Sequence, residues 1–426
     1  METELHRRKR AVQMYSYDHQ TKAAICRELN CSRPWLDRWL SRYDPDDVDR
    51  SLSDRKRGPH HAATPWSSEI RERVITMRQV RSDRTRFPYA LIGAQAIYHE
   101  LGALRSPERP PVRTLHRWLV QADLVTPPVA THSEPQVPKP IPLPQADQVN
   151  AVHQLDLKGP FYLQGSDHKY YLAVLRDRYS RRCAIHALDS RAAQGIIDFL
   201  IASWQWLGLP HYLQMDNALE FRGSNLYPRS FGRIVRVALD LGIEPLFNPP
   251  HEPWRNGGVE WFNGFLDAHF MPRYFRDFAA IEQEACACQT YCNAQHRLSV
   301  LEGRTPDEVS AQATLQPLTP DYVRHRLSDL PQNHGLVSFV RLVRKSGRIT
   351  LGAKDRFMID PSLAYTYVRA QVDLAQTIVS ISQGDRVLQT YDYSPDTVGC
   401  WASTAEANPD AAEKLECNAN HDTCEH

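Results

Sequence analysis

Three acidic residues have the types and settings to do chemistry together. Asp156 lies inside VHQLDLKGPFYL, an apolar-rich extended run, and Asp216 ends the short apolar run HYLQMDN just before a turn. Glu260 lies in PWRNGGVEWFNGFL, which reads as the first turns of a helix with Asn256 as N-cap and Pro253 just upstream. Two carboxylates from strands and one from a helix can converge on one point although the chain separates them widely. Clustered carboxylates raise each other's pKa unless a cation neutralises them. The economical reason for such a cluster is Mg²⁺ or Mn²⁺, held by hard oxygen ligands. Two such ions per site, as expected here, would stabilise the attacking and leaving oxygens of a phosphodiester displacement.

Each acid also has an ordinary reading. Asp156 could be a solvent-facing strand residue, although Leu155 and Leu157 flank it and Asp is depleted in strands. Asp216 could cap a turn, and Glu260 could be an early-helix acid favoured by the helix dipole. The ordered set favours metal binding over the three separate readings. Around it stand Asn217, which could position a ligand carboxylate, Asn263, one turn after Glu260, and His153, in the strand of Asp156. These three either support the ligands or are structural.

The elements that must position these residues follow one another from Val152. VHQLDLKGPFYL, HKYYLAVLRDR and RRCAIHAL read as three strands rich in β-branched and aromatic residues, fit for a sheet covered on both faces. RAAQGIIDFLIASWQWL is a long helix with Ile196, Ile197, Leu200 and Trp204 inward. HYLQMD is a fourth strand with Asp216 at its C-terminal edge, where open α/β sheets place their ligands. A helix over 229–241, a short strand in IEPLFNPP, the Glu260 helix and a closing helix over 279–293 complete the unit.

The strings MDNALEF, LGIEPLFNPP and PWRNGGVEWFNGFL, in that order, resemble the catalytic core of the retroviral-integrase superfamily, and within it the bacterial insertion-sequence transposases. The resemblance spans roughly residues 150–300. It implies an RNase H-like fold and a DDE triad, with Asp156 as first Asp, Asp216 as the Asp of the Asp-Asn pair, and Glu260 closing NGGVE. Three departures stand out. The 43 residues between Asp216 and Glu260 exceed the usual spacing, Ala218 replaces a common Gly, and Trp261 replaces a common Arg.

The chain of 426 residues carries a net charge of only +1, unevenly spread. Residues 1–124 hold 23 Lys and Arg against 16 Asp and Glu, a modest electrostatic footprint for DNA, while the stretch after Pro395 is acidic. TKAAICREL, a break at Asn30-Cys31-Ser32, and RPWLDRWLSRY form helix, turn and basic helix, with Arg33, Arg38 and Arg42 between Trp35, Leu36, Trp39 and Leu40. That is a helix-turn-helix arrangement, whose second helix enters the major groove; the plainer alternative is a small bundle with a solvated charged face. Residues 67–125 repeat the theme, with Arg113 and Arg117 outward on VRTLHRWLVQADL. Two such units suit a bipartite terminal sequence in double-stranded DNA.

The expected layout is multidomain. All-α helix-turn-helix units cover 1–45 and 67–125, joined by a polar linker over 46–66 that contains Arg55-Lys56-Arg57. A proline-rich, extended linker over 126–149 leads to the α/β RNase H-like core at 150–300. After a connector over 301–334, five short strands over 335–395 suit a small β-barrel, resembling the SH3-like C-terminal domain of the superfamily, and 396–426 reads as a disordered tail. Arg341, Arg344, Lys345 and Arg348 could contact DNA backbone or simply form a solvated rim. The Cys286, Cys288 and Cys292 set reads as helical thiols, with no matching partners for a zinc site. No run reaches the length of a membrane helix and no secretory signal opens the chain, so a cytoplasmic, nucleoid-associated bacterial protein without membrane partners is expected.

These features together imply a metal-dependent DDE transposase that binds terminal inverted repeats, cleaves 3′ ends and transfers strands as a homo-oligomer on DNA. The alternatives are a phage- or retroelement-type integrase, a plain RNase H-like nuclease, and a DNA-binding regulator that has lost catalysis.

Overall fold

The computed structural model describes residues 3–54, 66–125, 140–223, 229–250, 257–322, 334–352 and 355–395, with side chains of the helix beginning at 257 described from Trp261 onward. Arg55-Lys56-Arg57, most of the proline-rich segment, Asn256 and the acidic tail lie outside the described residues. The chain divides into two compact units, residues 1–65 and 66–426.

The first unit is helical: α1 (Glu4–Ser16), α2 (Lys22–Glu28), α3 (Arg33–Leu40) and α4 (Val48–Leu52). Thr3, Thr21, Ser32 and Asp47 sit at the four N-caps, and each side chain accepts a backbone N–H of the first turn. Asn30 takes the left-handed conformation (φ 46°) that ends α2 and turns the chain into α3. Apolar positions at helical spacing meet inside: Ala11, Met14, Ile25, Leu29 and Leu36 on one side, Val12, Trp39 and Leu52 on the other.

The second unit begins with α5 (Ser68–Ser82), α6 (Ala94–Ala103) and α7 (Val112–Gln121), closed around Ile70, Val74, Ile97, Leu101, Leu115 and Leu119. There follow β1 (Val152–Phe161), β2 (Tyr170–Asp177), β3 (Cys183–Leu188), α8 (Ala193–Leu207), β4 (Tyr212–Met215), the single turn α9 (Leu219–Arg222), α10 (Arg233–Asp240) and β5 (Glu244–Phe247). Then come α11 (Gly257–His269), α12 (Phe278–Gln295) and α13 (Pro306–Ser310). The C-terminal strands are β6 (Leu336–Leu342), β7 (Arg348–Thr350), β8 (Arg356–Met358), β9 (Tyr367–Asp373), β10 (Ile378–Gln383) and β11 (Arg386–Asp392).

Nine strands form one sheet in the order β11-β10-β9-β6-β5-β4-β1-β2-β3. β1, β2 and β3 are an antiparallel meander, whereas β4 runs parallel to β1, β5 to β4 and β6 to β5. Period-two alternation sends the two sets of side chains to two cores. Leu155, Leu213 and Met215 meet Ile196, Ile197, Leu200 and Trp204 of α8 on one face. Leu172, Val174, Cys183 and Ile185 meet Phe262 and Leu266 of α11 and Cys288 of α12 on the other. Both faces are therefore covered, as the apolar character of the strands predicts.

Two expectations are corrected. The helices over 67–125 do not stand apart behind the proline-rich segment. Tyr89, only 1% exposed, sits in the core with Phe265 and Ile281, its carbonyl meets His296 Nε2 at 2.8 Å and its hydroxyl bonds Glu284. A linker's composition reports its own stiffness and says nothing of whether the segments it joins dock.

The C-terminal strands do not close into an SH3-like barrel; they extend the core sheet and leave it open. β6 pairs with β5 through Leu246↔Ser338 and Phe247↔Phe339, and the two Phe rings stack at 5.0 Å. Arg369 of β9 donates to Glu244 of β5 at 2.6 Å and to Ser338 Oγ of β6 at 2.9 Å, tying three strands across the junction. Among the described residues only β7 and β8 form a separate two-stranded sheet. Strand periodicity is a local signal and does not specify which sheet edge a strand joins. Among the described residues no helix is long and apolar enough to cross a membrane.

The shared core makes a prediction. Phe339→Ala removes the ring stacked on Phe247 and should cost about 3–5 kcal/mol of stability in urea unfolding, the range for a buried Phe truncation. Core and C-terminal strands should be lost in one transition; separate unfolding of β6–β11 with an unaffected core would contradict a continuous sheet.

Candidate active site

Asp156 lies mid-strand in β1 and Asp216 directly follows β4. The parallel register pairs Val152 with Tyr212, His153 with Leu213 and Gln154 with Gln214. Two residues further along both strands, Asp156 and Asp216 stand level and share the even-numbered face. Both line one cleft of about 300 Å³ with Gly159, Lys169, Arg191 and Glu220. Gly159 (φ 134°) is required there, since a Cβ would come within 2.9 Å of the Tyr170 carbonyl.

A buried ladder of amides holds the two strands in this register. Gln154 Nε2 donates to Gln214 Oε1 at 3.2 Å, and Gln214 Nε2 donates to Asn248 Oδ1 at 2.7 Å. These residues come from β1, from β4 and from the residue after β5, and all three are buried. The sequence carried a signal for this that the carboxylates overshadowed: both aspartates follow the same spacing, Gln154-Leu155-Asp156 and Gln214-Met215-Asp216.

Burial raises the pKa of Asp156, with the charge of Asp216 adding to the rise, while a 2.6 Å hydrogen bond from Asn263 Nδ2 opposes it. Asp216 is raised by burial and by Glu220, against a 2.8 Å hydrogen bond from the Ala218 amide. Two carboxylates raised by desolvation and by neighbouring negative charge form a donor set that a hard divalent cation fits. Among the described residues no three His, Cys, Asp or Glu side chains cluster at metal-binding distance. The third acid in the reading, Glu260, lies in α11 one turn before Asn263, and its side chain is outside the described residues.

The remaining sequence candidates fall into distinct places. Asn263 reaches the site. His153 does not: it lies three residues from Asp156, so strand alternation turns it to the opposite face. There it is fully buried, bonds Asn150 Oδ1 at 2.9 Å, and burial pushes its pKa down to about 4. Asn217 points away from the carboxylates, donating to the Asn248 carbonyl at 2.6 Å and accepting from Arg341 Nη2 at 2.9 Å. Arg341, expected on a DNA-facing rim, is instead 3% exposed. It donates to the Thr350 carbonyl at 2.9 Å and the Asn248 carbonyl at 3.2 Å, and burial drives its pKa down to about 9. Arg344, Lys345 and Arg348 are exposed.

Of the helical arginines, Arg33, Arg38, Arg113 and Arg117 are exposed. Arg42 is already engaged: its guanidinium lies 4.4 Å from the Trp39 ring centre and donates to the Ser53 carbonyl at 2.9 Å. Residues that sequence reasoning passed over include Lys169, Arg191 and Glu220 in the cleft, the last two paired at 2.9 Å. Lys169 and Arg191 are exposed cations beside the carboxylates.

Two family models match parts of the chain. Residues 146–253 match the integrase core domain, and residues 8–65 match the winged helix-turn helix domain. No curated protein matches the chain. Among solved structures, the catalytic core domain of HTLV-2 integrase, in complex with magnesium, is 18% identical and aligns over 39% of this chain and 99% of that one, with a TM-score of 0.29. The catalytic core domain of BIV integrase is 17% identical over 38% of this chain and 95% of its own, with a TM-score of 0.29. The simian T-cell lymphotropic virus intasome in complex with PP2A regulatory subunit B56 gamma is 14% identical over 76% and 98%, with a TM-score of 0.34.

The raised Asp156 pKa gives a signed prediction for the metal-free protein. A carboxyl whose folded pKa lies above its unfolded value destabilises the fold once ionised, above the folded pKa, and costs nothing below the unfolded one. Asp156→Asn should therefore raise the melting temperature at neutral pH in EDTA. The gain should shrink as pH falls into the ordinary carboxylate range. Thermal melts across pH check it, and an unchanged or lower melting temperature at pH 7 contradicts it.

Proposed function

We propose that this chain, a member of the retroviral-integrase superfamily, is a DDE transposase that binds the terminal inverted repeats of its element, cleaves the 3′ ends and joins them to target DNA. The observation that carries the reading is the level placement of Asp156 and Asp216 in one cleft, with Asn263 of α11 bonded to Asp156. Since Glu260 precedes Asn263 by three residues, helical periodicity supports α11 as the source of the third carboxylate.

In this reading Asp156, Asp216 and Glu260 hold Mg²⁺ or Mn²⁺, two ions per site. Bound there, the metal would supply a deprotonated oxygen nucleophile and charge stabilisation for the phosphodiester displacement. The protein does the positioning. Asn263 fixes the rotamer of Asp156, and the Gln154–Gln214–Asn248 ladder fixes the strand register beneath both aspartates. Lys169 draws the phosphate backbone to the cleft mouth, beside the Arg191–Glu220 pair. No protein nucleophile enters the reaction, so the hydroxyl freed by cleavage at an element end is itself the group that attacks target DNA.

The helix-turn-helix domain supports sequence-directed binding. Exposed Arg33 and Arg38 lie on its second helix, where base edges and phosphates would be met. Arg113 and Arg117 on α7 would add backbone contacts. Arg42 takes a supporting part by bracing Trp39. Joining two element ends to one target requires at least two catalytic cores, so the active form is a homo-oligomer assembled on DNA.

The test is strand transfer with Mg²⁺ or Mn²⁺ on a labelled duplex carrying the element's end. Wild type should give joined products. Asp156→Asn, Asp216→Asn and Glu260→Gln should each abolish them while leaving end binding intact. Asn263→Ala should lower the rate about 10–100-fold, the usual effect of removing a partner that orients a metal ligand. Wild-type activity in Glu260→Gln would assign the third carboxylate elsewhere. Nicking without joining would indicate a nuclease, and end binding without any cleavage would indicate a regulator.

A further inference from the structure

The sheet face that carries Asp156 holds a second cavity, larger than the first, at about 720 Å³. It lies between α6 and the catalytic core and falls within the ~300–1,000 Å³ range of small-molecule sites. Its cationic side is the end of β2 and the turn after it, with Arg176, Arg178 and Arg181. Its apolar side includes Trp261 and Val300, which remain 46% and 63% exposed. The N-terminus of α6 opens on the rim at Gly93, an N-cap without a side-chain hydrogen bond.

The arginines of this cavity are not all compensated alike. Arg297, on the far wall, is neutralised by a two-pronged pair with Glu308 at 2.8 and 2.9 Å. Among the described residues, no carboxylate lies within ion-pair distance of Arg178 or Arg181. Asp177, between them in sequence, is turned inward and accepts from the Ser180 amide at 2.7 Å and the Asn150 amide at 3.2 Å. Arg181 Nε is buried without a hydrogen-bond partner, and Arg181 is held in the left-handed region (φ 66°), which a long side chain seldom adopts. Burial lowers the pKa of both arginines. Half-buried cations with no ion pair among the described residues, facing open volume beside an indole, form a surface suited to an anion and an aromatic ring.

We propose that this cavity binds a nucleoside phosphate, with the base laid against Trp261 and the phosphate on Arg178 and Arg181 at the α6 N-terminus. The ligand is either a free nucleotide or an unpaired nucleotide of a DNA strand. Gln154 on the cavity wall and Asp156 in the cleft face the same way, about 7 Å apart along β1 at ~3.3 Å per residue. A strand-borne nucleotide would thus be held close to the catalytic carboxylates; only this second source rests on the proposed reaction.

Full-length protein in EDTA tests the site without requiring catalysis. The probes are 2-aminopurine nucleoside 5′-monophosphate and a short single strand carrying one 2-aminopurine, read by fluorescence quenching on stacking. Trp261→Leu should weaken binding about five- to a hundredfold, the range for loss of one base–aromatic stack. Arg178→Gln with Arg181→Gln should weaken it at least tenfold, and Arg344→Gln with Lys345→Gln should leave it unchanged. Thermal melts monitor folding, and Arg178→Gln alone carries the charge test if the double variant unfolds. Binding of both probes, with the monophosphate displacing the strand, assigns a free nucleotide; binding of the strand alone assigns a strand-borne one. Wild-type affinity in the Trp261 and Arg178 variants, or equal weakening in the Arg344 control, overturns the proposal. Loss of strand transfer with intact quenching would overturn the transposase reading and leave this one standing.

Discussion

Two carboxylates that repel each other must be kept level on neighbouring strands, and much of the core serves that constraint. Charge alone would push Asp156 and Asp216 apart, and burial adds to the cost of ionising them. What opposes this is the row of amides beneath them. Gln154, Gln214 and Asn248 link three parallel strands through consecutive hydrogen bonds in a region closed to water. Slipping one strand by one residue would turn its aspartate to the α8 face and leave buried amide groups unpaired. The ladder therefore specifies register more sharply than the apolar residues around it, which alternate in the same way at any even slip.

The C-terminal strands take part in that support. By joining β5 instead of forming a barrel of their own, they bring Arg341 under the turn that follows β4. One guanidinium then gathers the Asn217 side chain and the carbonyls of Asn248, Thr350 and Leu351. The residue after Asp216 is thereby fastened to the sheet, which limits how far the aspartate can move. Among the described residues no carboxylate pairs with this buried cation, and its burial lowers its pKa. Five donors in a fixed planar fork make arginine suited to collecting several carbonyls at once.

Strands, helices and a cap were legible in the sequence because each rests on a local pattern: runs of β-branched and aromatic residues for the core strands, helical spacing for α8, and Ser32 at the N-cap of α3 in the first unit. Asp156 and Asp216 were legible because a carboxylate among apolar strand residues is rare enough to ask for a reason. His153 stayed open between support and structure in the sequence; strand parity, which separates residues three apart, turns it to the opposite face. Asn217 stayed open too, because an amide beside an aspartate suits either a ligand support or a backbone clamp, and its contact with Arg341 lies 124 residues away. The docking of Tyr89 against α11 and α12 and the joining of β6 to β5 were not legible at all. Both depend on which surfaces meet, and no local pattern encodes that.

The arginines show why a charge count is a weak guide to a nucleic-acid surface. Arg42 stacks on Trp39, Arg341 holds carbonyls, Arg369 pairs with Glu244 and Arg297 with Glu308. Each has its charge or donors satisfied inside the protein and contributes little to an approaching phosphate. Arg33, Arg38, Arg113 and Arg117 remain exposed on helices, and Arg178 and Arg181 face a cavity with no ion pair among the described residues. Under a screening length of about 8–10 Å, only such unpaired groups near the contact surface matter for binding. The relevant quantity is the positive charge left after internal pairing. A chain with a net charge of +1 can therefore present cationic sites, because net charge does not say which charges are paired or where the acids lie.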